Sequence, residues 1–321
     1  MLHLHFRELA SELTKDPTLR DSSAWQTQYR TTNRVYMSDQ YILKVYLTHA
    51  SFATERYFYS KRSLLTFCTP EPVAFVELPS WGAVAIFRRA QGRTLLSLIS
   101  EGSKLRPHFV ERLVDALIEF ERLPEFLEQE QETWTYGFSI SPVCKRLHEI
   151  GLARAALLLT TLAASADGET AALPRVPCFD LYPGNIILAR HEQHEVVTHV
   201  DFDKVNRAVP AGEQLSHIAL VPGFRNELRR LLPKYAAAIG VGGADLAANL
   251  RFAAFFRACA GLRDSIIGTE GDEGEPEHRA QRTKTQSRML KLAAGSLADI
   301  HRKAGISEAE FLEIMRGFHA L

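Results

Sequence analysis

The sequence lacks the features that mark several classes of protein. Only four of its 321 residues are cysteine, and none has the Cys-x-x-Cys spacing of a zinc site or a redox pair. They are Cys68, Cys144, Cys178 and Cys259. This scatter argues against a structural zinc site and against a disulfide framework, and it favours a reducing compartment.

Long apolar runs are also missing. The most apolar stretch, Ala155 to Ala166, has about half of the roughly 20 residues that a membrane-spanning helix needs. The first residues contain no long apolar run and carry an early acidic residue, Glu8, so we expect neither a secretory signal nor a transit peptide. We therefore expect a cytoplasmic protein without a membrane partner.

An excess of charge of one sign is missing as well. The 38 lysine and arginine residues balance the 38 aspartate and glutamate residues, so no overall field attracts the protein to a nucleic-acid backbone. With 46% hydrophobic and 24% charged residues, the chain can bury enough apolar surface to fold as one large or two ordinary domains. We expect a globular protein that does not bind nucleic acid.

The first part of the chain has the pattern of a small sheet with one helix. Short runs rich in aromatic and β-branched residues predict strands, and apolar spacing predicts a helix over Ala50 to Thr66 with Thr48 as its N-cap. The predicted strands are Trp25 to Arg30, Asn33 to Met37, Tyr41 to Tyr46, Val73 to Leu78 and Ala83 to Phe87. The predicted order is β-β-β-α-β-β.

The chain changes character after Gly92. Apolar residues at helical spacing predict helices over Leu105 to Leu123 and over Pro142 to Ala164, and further helices after residue 211. Two short apolar runs around a polar turn predict a hairpin from Asn185 to Val200. A charged segment from Gly268 to Glu277 is expected to be a solvated loop.

Three polar side chains stand amid apolar residues around the predicted hairpin. Asp180 precedes it, Asn185 follows five positions later, and Asp201 comes after the second strand. In phosphoryl transfer a carboxylate orients the attacking hydroxyl, while anionic and neutral oxygens hold Mg²⁺ on a triphosphate. Mg²⁺ prefers oxygen ligands and keeps several waters, so Asn185 and Asp201 would suffice as its protein ligands. The alternative is that Asp180 and Asn185 only form a turn around Pro183 and Gly184.

These residues resemble the aminoglycoside phosphotransferase and choline kinase superfamily, the small-molecule relatives of protein kinases. The resemblance rests on two spaced motifs, Asp180-Leu-Tyr-Pro-Gly-Asn185 and Val200-Asp201-Phe202-Asp203, and covers roughly Trp25 to Asp203. It implies an α+β, bilobal protein-kinase-like fold, with a five-stranded antiparallel sheet plus one helix in the N-terminal lobe and a mostly helical C-terminal lobe. It also implies that residues 1–90 bind nucleotide and that residues 91–321 carry catalysis and substrate binding.

The resemblance further implies roles for single residues. Asp180 is expected to be the catalytic base, Asn185 and Asp201 to bind Mg²⁺, and Asp203 to assist at a second metal position. A helix N-cap or loop contact is the alternative for Asp203. The expected reaction moves the γ-phosphoryl group of ATP or GTP to a hydroxyl of a small molecule, either an antibiotic or a metabolite.

A kinase-like site also needs a cation on the phosphates, placed on a strand and held by a helix carboxylate. Lys44 lies among apolar residues of the third predicted strand, where an unpaired ammonium group costs free energy. Glu55 is the only acidic residue between Lys44 and Glu71, so we expect it to pair with Lys44. The alternatives are a lysine that reaches solvent from an edge strand and a solvated glutamate on the helix.

Two further segments are expected to contact the nucleotide. The loop between the first two strands contains no glycine, but its Thr32-Asn33 resembles a variant found in small-molecule kinases, so we expect Asn33 near the phosphates. The segment after the fifth strand occupies the hinge position, whose backbone would hydrogen-bond the purine. It consists of Phe87, Arg88, Arg89 and Ala90.

The sequence departs from the family pattern before the expected base. The family usually has a histidine two residues before this aspartate, and this chain has Cys178 there. A thiol hydrogen-bonds only weakly, so it braces the loop less well than an imidazole. Together with the glycine-free loop, this substitution leaves a nucleotide-binding pseudokinase without turnover as the alternative function. A protein kinase is disfavoured, because the segment after Asp203 passes quickly into helix.

Overall fold

The computed structural model describes residues 4–28, 33–78, 82–103, 105–106, 108–126, 132–191, 194–221, 223–267 and 307–319. Residues Arg30 to Thr32 of the predicted phosphate loop and the charged segment from Gly268 to Glu277 lie outside the described residues. The described residues form two compact units. The first contains residues 4–103 and 183–205, and the second contains residues 105–182, 206–267 and 307–319.

The described chain contains short strands and longer helices. The strands are β1 (Gln26–Gln28), β2 (Asn33–Met37), β3 (Tyr41–Tyr46), β4 (Pro72–Leu78), β5 (Gly82–Arg88), β6 (Arg93–Thr94), β7 (Glu132–Thr133), β8 (Arg175–Pro177), β9 (Ile186–His191), β10 (His194–His199) and β11 (Arg207–Pro210). The helices are α1 (Leu4–Thr14), α2 (His49–Ser60), α3 (Leu95–Ser100), α4 (His108–Glu121), α5 (Tyr136–Glu149), α6 (Ala153–Glu169), α7 (Ser216–Ala219), α8 (Arg225–Ile239), α9 (Gly243–Ile267) and α10 (Glu308–His319).

The first unit contains the predicted five-stranded antiparallel sheet. Its strand order is β1-β2-β3-β5-β4, and every neighbouring pair is antiparallel. The register sets Lys44 of β3 opposite Val35 of β2 and Ala85 of β5. Because β3 has a neighbour on each side, nearly all of its residues are buried, Lys44 included. The lysine is therefore a central residue of the sheet, and the edge-strand alternative is wrong.

Helix α2 follows β3, as predicted. The side-chain oxygen of Thr48 accepts the N–H of Ser51, so Thr48 is the N-cap. The helix ends at Ser60 and not at Thr66, because Arg62–Leu64 tightens into a separate 3-10 turn. The predicted helix was too long, since the apolar spacing of α2 continues through this turn.

Helix α1 packs beside the same sheet and was not predicted from the sequence. Its Phe6 and Ala10 are buried together with Leu19, Trp25 and Tyr36. The indole N–H of Trp25 donates to the carbonyl of Leu19 at 2.8 Å, which satisfies the one polar atom of that side chain. This small core covers part of the sheet of the first unit.

The predicted hairpin is formed by β9 and β10 and packs within the first unit. Ile186 pairs with His199 across it, β6 pairs with β9, and Thr198 of β10 forms a bridge to Cys68. The residues that follow β10 are thereby joined to the unit that contains Lys44. The functional division into a nucleotide-binding part, 1–90, and a catalytic part, 91–321, stays a prediction.

The second unit is mostly helical, as expected, and its core lies between α5, α6 and α9. Tyr136, Leu159 and Phe255 are fully buried there. Helices α5 and α6 replace the single helix predicted over Pro142 to Ala164, because Gly151 between them has a left-handed backbone with φ of 81°. A small sheet, β7-β11-β8, completes this unit and was not predicted.

The helices of the described part of the chain were also compared with the length and hydropathy of membrane spans. None of them is long and apolar enough to cross a membrane. The cytoplasmic location stays a prediction.

Candidate active site

A buried ion cluster lies in the first unit. Lys44 Nζ is 2.6 Å from Glu55 Oε2, 2.5 Å from Asp201 Oδ1 and 3.6 Å from Asp203 Oδ2. The expected pair between Lys44 and Glu55 is therefore present, and two carboxyl groups from the segment after β10 join it. Residues far apart in the sequence thus converge on one ammonium group.

Burial controls the electrostatics of this cluster. Lys44 and Glu55 are only 5% and 2% exposed. Burial by itself lowers the pKa of Lys44, but the neighbouring carboxylates outweigh it and raise the pKa above its usual value. Burial raises the pKa of Glu55, and Lys44 opposes this rise. One ammonium group faces three carboxyl groups, so the cluster can accept a further cation.

Glu55 also ties together three parts of the first unit. Tyr46 OH of β3 donates to its Oε2 at 2.7 Å, and the N–H of Phe202 donates to its Oε1 at 3.3 Å. The ring of Phe202 stacks on Phe58 of α2, with the ring centroids 3.7 Å apart. These contacts hold α2 against the segment after β10, so packing sets the geometry of the ion cluster.

Asn33 contacts Asp203 directly. Its Nδ2 donates to Asp203 Oδ2 at 2.6 Å, and its Oδ1 accepts the N–H of Leu47 at 3.2 Å. Both polar atoms of the Asn33 side chain therefore have protein partners. Among the described residues, Asp203 Oδ1 is buried and has no hydrogen-bond partner. A buried carboxylate oxygen without a partner is costly, and a metal ion would satisfy it.

Asp201 has an unusual backbone conformation. Its φ is 73°, in the left-handed region that costs most residues about 1–2 kcal/mol and that aspartate tolerates better than most. The preceding N–H, of Val200, donates to the carbonyl of Asn185 at 2.9 Å. Such strained residues concentrate at functional sites, where surrounding contacts hold them in place. The turn aims the Asp201 carboxylate at Lys44, because the chain bends directly after β10.

The oxygen atoms of Asp201, Asp203 and Asn185 are of the kind that bind Mg²⁺ together with a substrate. Within the described ranges, no three His, Cys, Asp or Glu side chains are arranged to hold a metal by themselves. Mg²⁺ does not require such a cage, since it is usually bound through one or two carboxylates, substrate phosphates and waters. Asp201 and Asp203 would supply carboxylate oxygens to such an ion, and the unpartnered Oδ1 of Asp203 fits a metal ligand. Asn185 is buried, and its backbone carbonyl accepts the N–H of Val200, next to Asp201. Its role as a metal ligand stays a prediction.

A pocket in the first unit opens onto the ion cluster. It encloses about 900 Å³, a figure that includes open solvent. Its lining includes Lys44, Glu55 and Asp201 together with apolar side chains such as Val35 and Ile187. Such a lining can hold an apolar ring and a charged group in the same site.

Three of the four expected hinge residues line this pocket: Phe87, Arg89 and Ala90. Arg88 does not, because its guanidinium pairs with Glu71 at 3.0 Å. The backbone N–H groups of Arg88 and Arg89 donate to the carbonyls of Glu71 and Gln40, at 2.8 and 2.7 Å. These two N–H groups have protein partners, so a purine would have to be bound by other groups of the segment.

Asp180 lies in the second unit, in the loop after β8. Its Oδ1 accepts the N–H of Tyr182 at 3.3 Å and lies 3.2 Å from Nε2 of His217. The loop before it is held by Gln214, whose Oε1 accepts the N–H of Phe179 and whose Nε2 donates to the carbonyl of Pro177 at 2.9 Å. Gln214 thus binds the backbone on both sides of residue 178.

Gln214 is itself held by a buried carboxyl group. Its Nε2 also donates to Glu121 Oε1 at 2.8 Å, and Tyr235 OH donates to Glu121 Oε2 at 2.6 Å. Burial raises the pKa of Glu121 to about 8. The N–H of Gly212 donates to Tyr235 OH at 2.9 Å, which closes the network. The loop of Asp180 is therefore braced by α4, α8 and the turn before α7, although Cys178 stands where the motif predicts a histidine.

The chain was compared with known protein families, curated proteins and solved structures. No family model matches the sequence, and no curated protein matches it significantly. A solved aminoglycoside phosphotransferase, in complex with GDP and kanamycin, has a TM-score of 0.62 at 11% identity, covering 92% of this chain and 99% of that chain. A choline/ethanolamine kinase family protein from Mesorhizobium loti has a TM-score of 0.59 at 16% identity, covering 98% of this chain and 99% of that chain. The chain has the fold of these small-molecule kinases.

A second aminoglycoside phosphotransferase, a thermostable mutant, supports the same assignment. Its TM-score is 0.57 at 14% identity, covering 90% of this chain and 99% of that chain. The small-molecule-kinase fold confirms the resemblance that the two motifs indicated, and it confirms the bilobal α+β class. At these identities the likeness concerns the fold, and the roles of the individual residues stay predictions.

The sequence analysis missed the residues that brace Asp180 in this small-molecule-kinase fold. They are Glu121, Gln214 and His217. All three are buried, but each has a polar neighbour in the sequence: Arg122 follows Glu121, Glu213 precedes Gln214, and Ser216 precedes His217. A buried polar residue needs a partner, but these mixed polar and apolar surroundings do not mark the three positions as buried, and the sequence does not reveal which partner each one finds.

Proposed function

We propose that the protein is a Mg²⁺-dependent phosphotransferase that moves the γ-phosphoryl group of ATP or GTP to a hydroxyl of a small molecule. The observation that carries this proposal is the buried cluster of Lys44, Glu55, Asp201 and Asp203, which opens onto a pocket. A lysine and carboxylates in this arrangement suit a triphosphate with its metal, because phosphoryl transfer depends on positioning and charge stabilisation.

Lys44 is proposed to bind the phosphates of the nucleotide. Glu55 fixes the lysine, since its carboxylate is 2.6 Å away and is itself held by Tyr46 and Phe202. Asp201 and Asn185 would hold Mg²⁺, and Asp203 would assist at a second position. The metal would neutralise the charge that develops on the phosphates during transfer.

Asp180 is proposed to orient the acceptor hydroxyl and to take its proton. A carboxylate performs this task when it is held in one orientation, and contacts from Tyr182 and His217 hold Asp180. The similar solved structures include complexes with GDP and kanamycin and with ADP and hygromycin B. We propose an acceptor of this general kind, a hydroxylated antibiotic or a hydroxylated metabolite.

The proposal is tested by a phosphate-transfer screen with ATP and with GTP. The acceptors are aminoglycosides, macrolides, amino alcohols and hydroxy amino acids, and transfer is followed by mass spectrometry of the acceptor. Phosphorylation of one acceptor that requires Mg²⁺ supports the proposal. Binding of Mg²⁺-nucleotide without transfer to any acceptor would favour the pseudokinase alternative, and no binding of nucleotide would contradict both.

Two variants separate chemistry from binding once an acceptor is known. Asp180→Asn is expected to lower kcat about 10²–10⁴-fold, because it removes the base while nucleotide affinity is retained. Asp201→Asn is expected to weaken Mg²⁺-dependent nucleotide binding, measured by calorimetry, while Asn still tolerates the left-handed backbone. Asp115→Asn, at an exposed aspartate of α4, is the matched control. Wild-type turnover by Asp180→Asn would remove Asp180 from the mechanism.

A further inference from the structure

A buried histidine faces the carboxylate that we propose as the base. His217 is 7% exposed, and its Nε2 lies 3.2 Å from Asp180 Oδ1. Within the described part of the chain, Nε2 has no other hydrogen-bond partner, and its distance to Asp180 Oδ1 is within reach of a hydrogen bond. A buried ring nitrogen at this distance from a carboxylate has few roles other than to interact with it.

The position of His217 relative to Asp180 is fixed by the surrounding chain. His217 lies on α7, three residues after Gln214, and Gln214 binds the backbone of the Asp180 loop at Phe179 and Pro177. The imidazole also packs edge-on against the ring of Tyr182, with ring centroids 5.9 Å apart. The histidine and the carboxylate therefore belong to one braced assembly of the second unit.

The charges around His217 favour a neutral imidazole. Burial lowers its pKa, and Arg257 of α9 lowers it further, whereas Asp180 and Glu213 oppose this change. Arg257 and Glu213 form an ion pair with each other, which limits the influence of both. A lowered pKa favours the neutral form of His217, and a hydrogen on the nitrogen that faces the Asp180 carboxyl group suits this geometry.

We propose that His217 is a positioning residue for Asp180, donating from Nε2 to Oδ1 and thereby holding the carboxylate in the orientation that accepts the proton of the substrate hydroxyl. This inference rests on the proposed phosphotransferase function and adds to it a residue that no motif indicated. A neutral donor orients the carboxylate without adding a positive charge. A protonated imidazole would pair with the carboxylate and make it a weaker base.

Two substitutions at His217 and one control test this role. His217→Leu removes the donor, whereas His217→Gln keeps an N–H group on a side chain of similar reach. His148→Gln makes the same change at an exposed histidine of α5 and serves as the control. Steady-state kinetics with an acceptor found in the screen give kcat and KM for each variant from pH 5 to pH 8, and thermal unfolding checks that each variant is folded.

We expect His217→Leu to lower kcat about 100-fold at pH 7, since a misplaced catalytic group commonly costs a factor of this size. The KM for nucleotide should change less than about 2-fold. His217→Gln should recover at least half of the loss in log kcat, which leaves its kcat within about 10-fold of the wild-type value. In the wild type, protonation of His217 contributes to the fall of kcat in acid, so His217→Gln, which keeps a donor but cannot be protonated, should shift this acid limb to lower pH. His217→Leu should not shift it to lower pH in the same way, because loss of the donor raises the pKa of the Asp180 carboxyl group. Ionisation of the nucleotide triphosphate also affects kcat, but it is the same for the wild type and the variants, so it does not cause a difference between their pH profiles.

The outcomes separate this inference from the proposed function. If the wild type phosphorylates an acceptor but both variants keep its kcat and its acid limb, the positioning role is wrong and the phosphotransferase function stands. An equal loss of kcat at every pH, without recovery in His217→Gln, would reduce His217 to a packing residue and would also overturn the inference. If the wild type transfers no phosphate, the proposed function fails and this inference fails with it. If His217→Leu does not fold, the acid limb of His217→Gln alone decides.

Discussion

Replacing Lys44 with methionine is expected to destabilise the protein strongly, because the change leaves buried carboxyl groups without their counterion. At an effective dielectric constant of about 20, each of the two closest ion pairs has about 6 kcal/mol of gross attraction. Desolvation of the charged groups offsets much of this attraction. Removing one partner of a buried pair typically costs about 3–5 kcal/mol, which is a large part of a usual stability of about 5–15 kcal/mol.

The assay is urea unfolding followed by circular dichroism at pH 7.5, with Lys234→Met as the matched control. Lys234 Nζ is 2.5 Å from Asp115, the same distance as Lys44 from Asp201, but its side chain is 46% exposed. An exposed pair is worth about 0–1 kcal/mol, so the control should lose no more than that. The difference between the two variants then measures what burial adds to an ion pair of equal length.

The pH dependence of Lys44→Met has a definite sign. Without the ammonium group, burial and mutual repulsion raise the pKa values of the remaining carboxyl groups in the folded state. A group whose pKa is raised on folding favours the folded state at low pH, and this advantage is lost as pH rises. The loss of stability should therefore be smaller at pH 5 than at pH 7.5. A loss at pH 7.5 no larger than that of Lys234→Met would refute the reasoning.

Two further predictions concern other parts of the fold. Gly92 has φ of 119°, and a Cβ there would overlap the carbonyl of Leu188 and lie 2.8 Å from Ala189 N, so Gly92→Ala should lose about 3 kcal/mol or more in urea unfolding. Gly102→Ala, with φ of 70° and nothing within 4 Å of the added Cβ, should lose only about 1–2 kcal/mol, and equal losses would contradict the steric argument. The pKa of Glu121 is raised from its usual 4.5 to about 8, so the unfolding free energy should fall by on the order of 4 kcal/mol as pH rises from about 4.5 to 8. Glu121→Gln should flatten this slope relative to wild type, and an unchanged slope would show that Glu121 does not cause it.

The sheet of the first unit was predictable because its signals are local. The aromatic and β-branched runs at residues 33–37 and 41–46 coincide with β2 and β3, and Thr48 caps α2 as expected. Strand propensity and capping depend on neighbours in the chain, so a single sequence contains them. Boundaries that depend on packing were less predictable, such as the end of α2 at Ser60 and the break between α5 and α6.

The site was predictable only in part. The two spaced motifs marked Asp180, Asn185 and Asp201, and the position of a lone charge in an apolar strand marked Lys44. Nothing local, however, indicates that the amide of Asn33 binds Asp203, or that Gln214 binds the backbone on both sides of Cys178. These contacts join residues that are distant in the chain. Each of these polar side chains has many possible hydrogen-bond partners, and the sequence does not show which one it binds.

The sequence by itself thus determined the strands of the sheet and the pairing of Lys44 with Glu55, which follow from local residue patterns and from the cost of an unpaired buried charge. The two motifs were found through the resemblance to a known family. Only the tertiary structure decided how many carboxyl groups surround that lysine, which hinge N–H groups are already donated, and which histidine lies beside Asp180. These features depend on which distant segments pack together. That outcome is set by the burial of the whole core and not by any one stretch of chain.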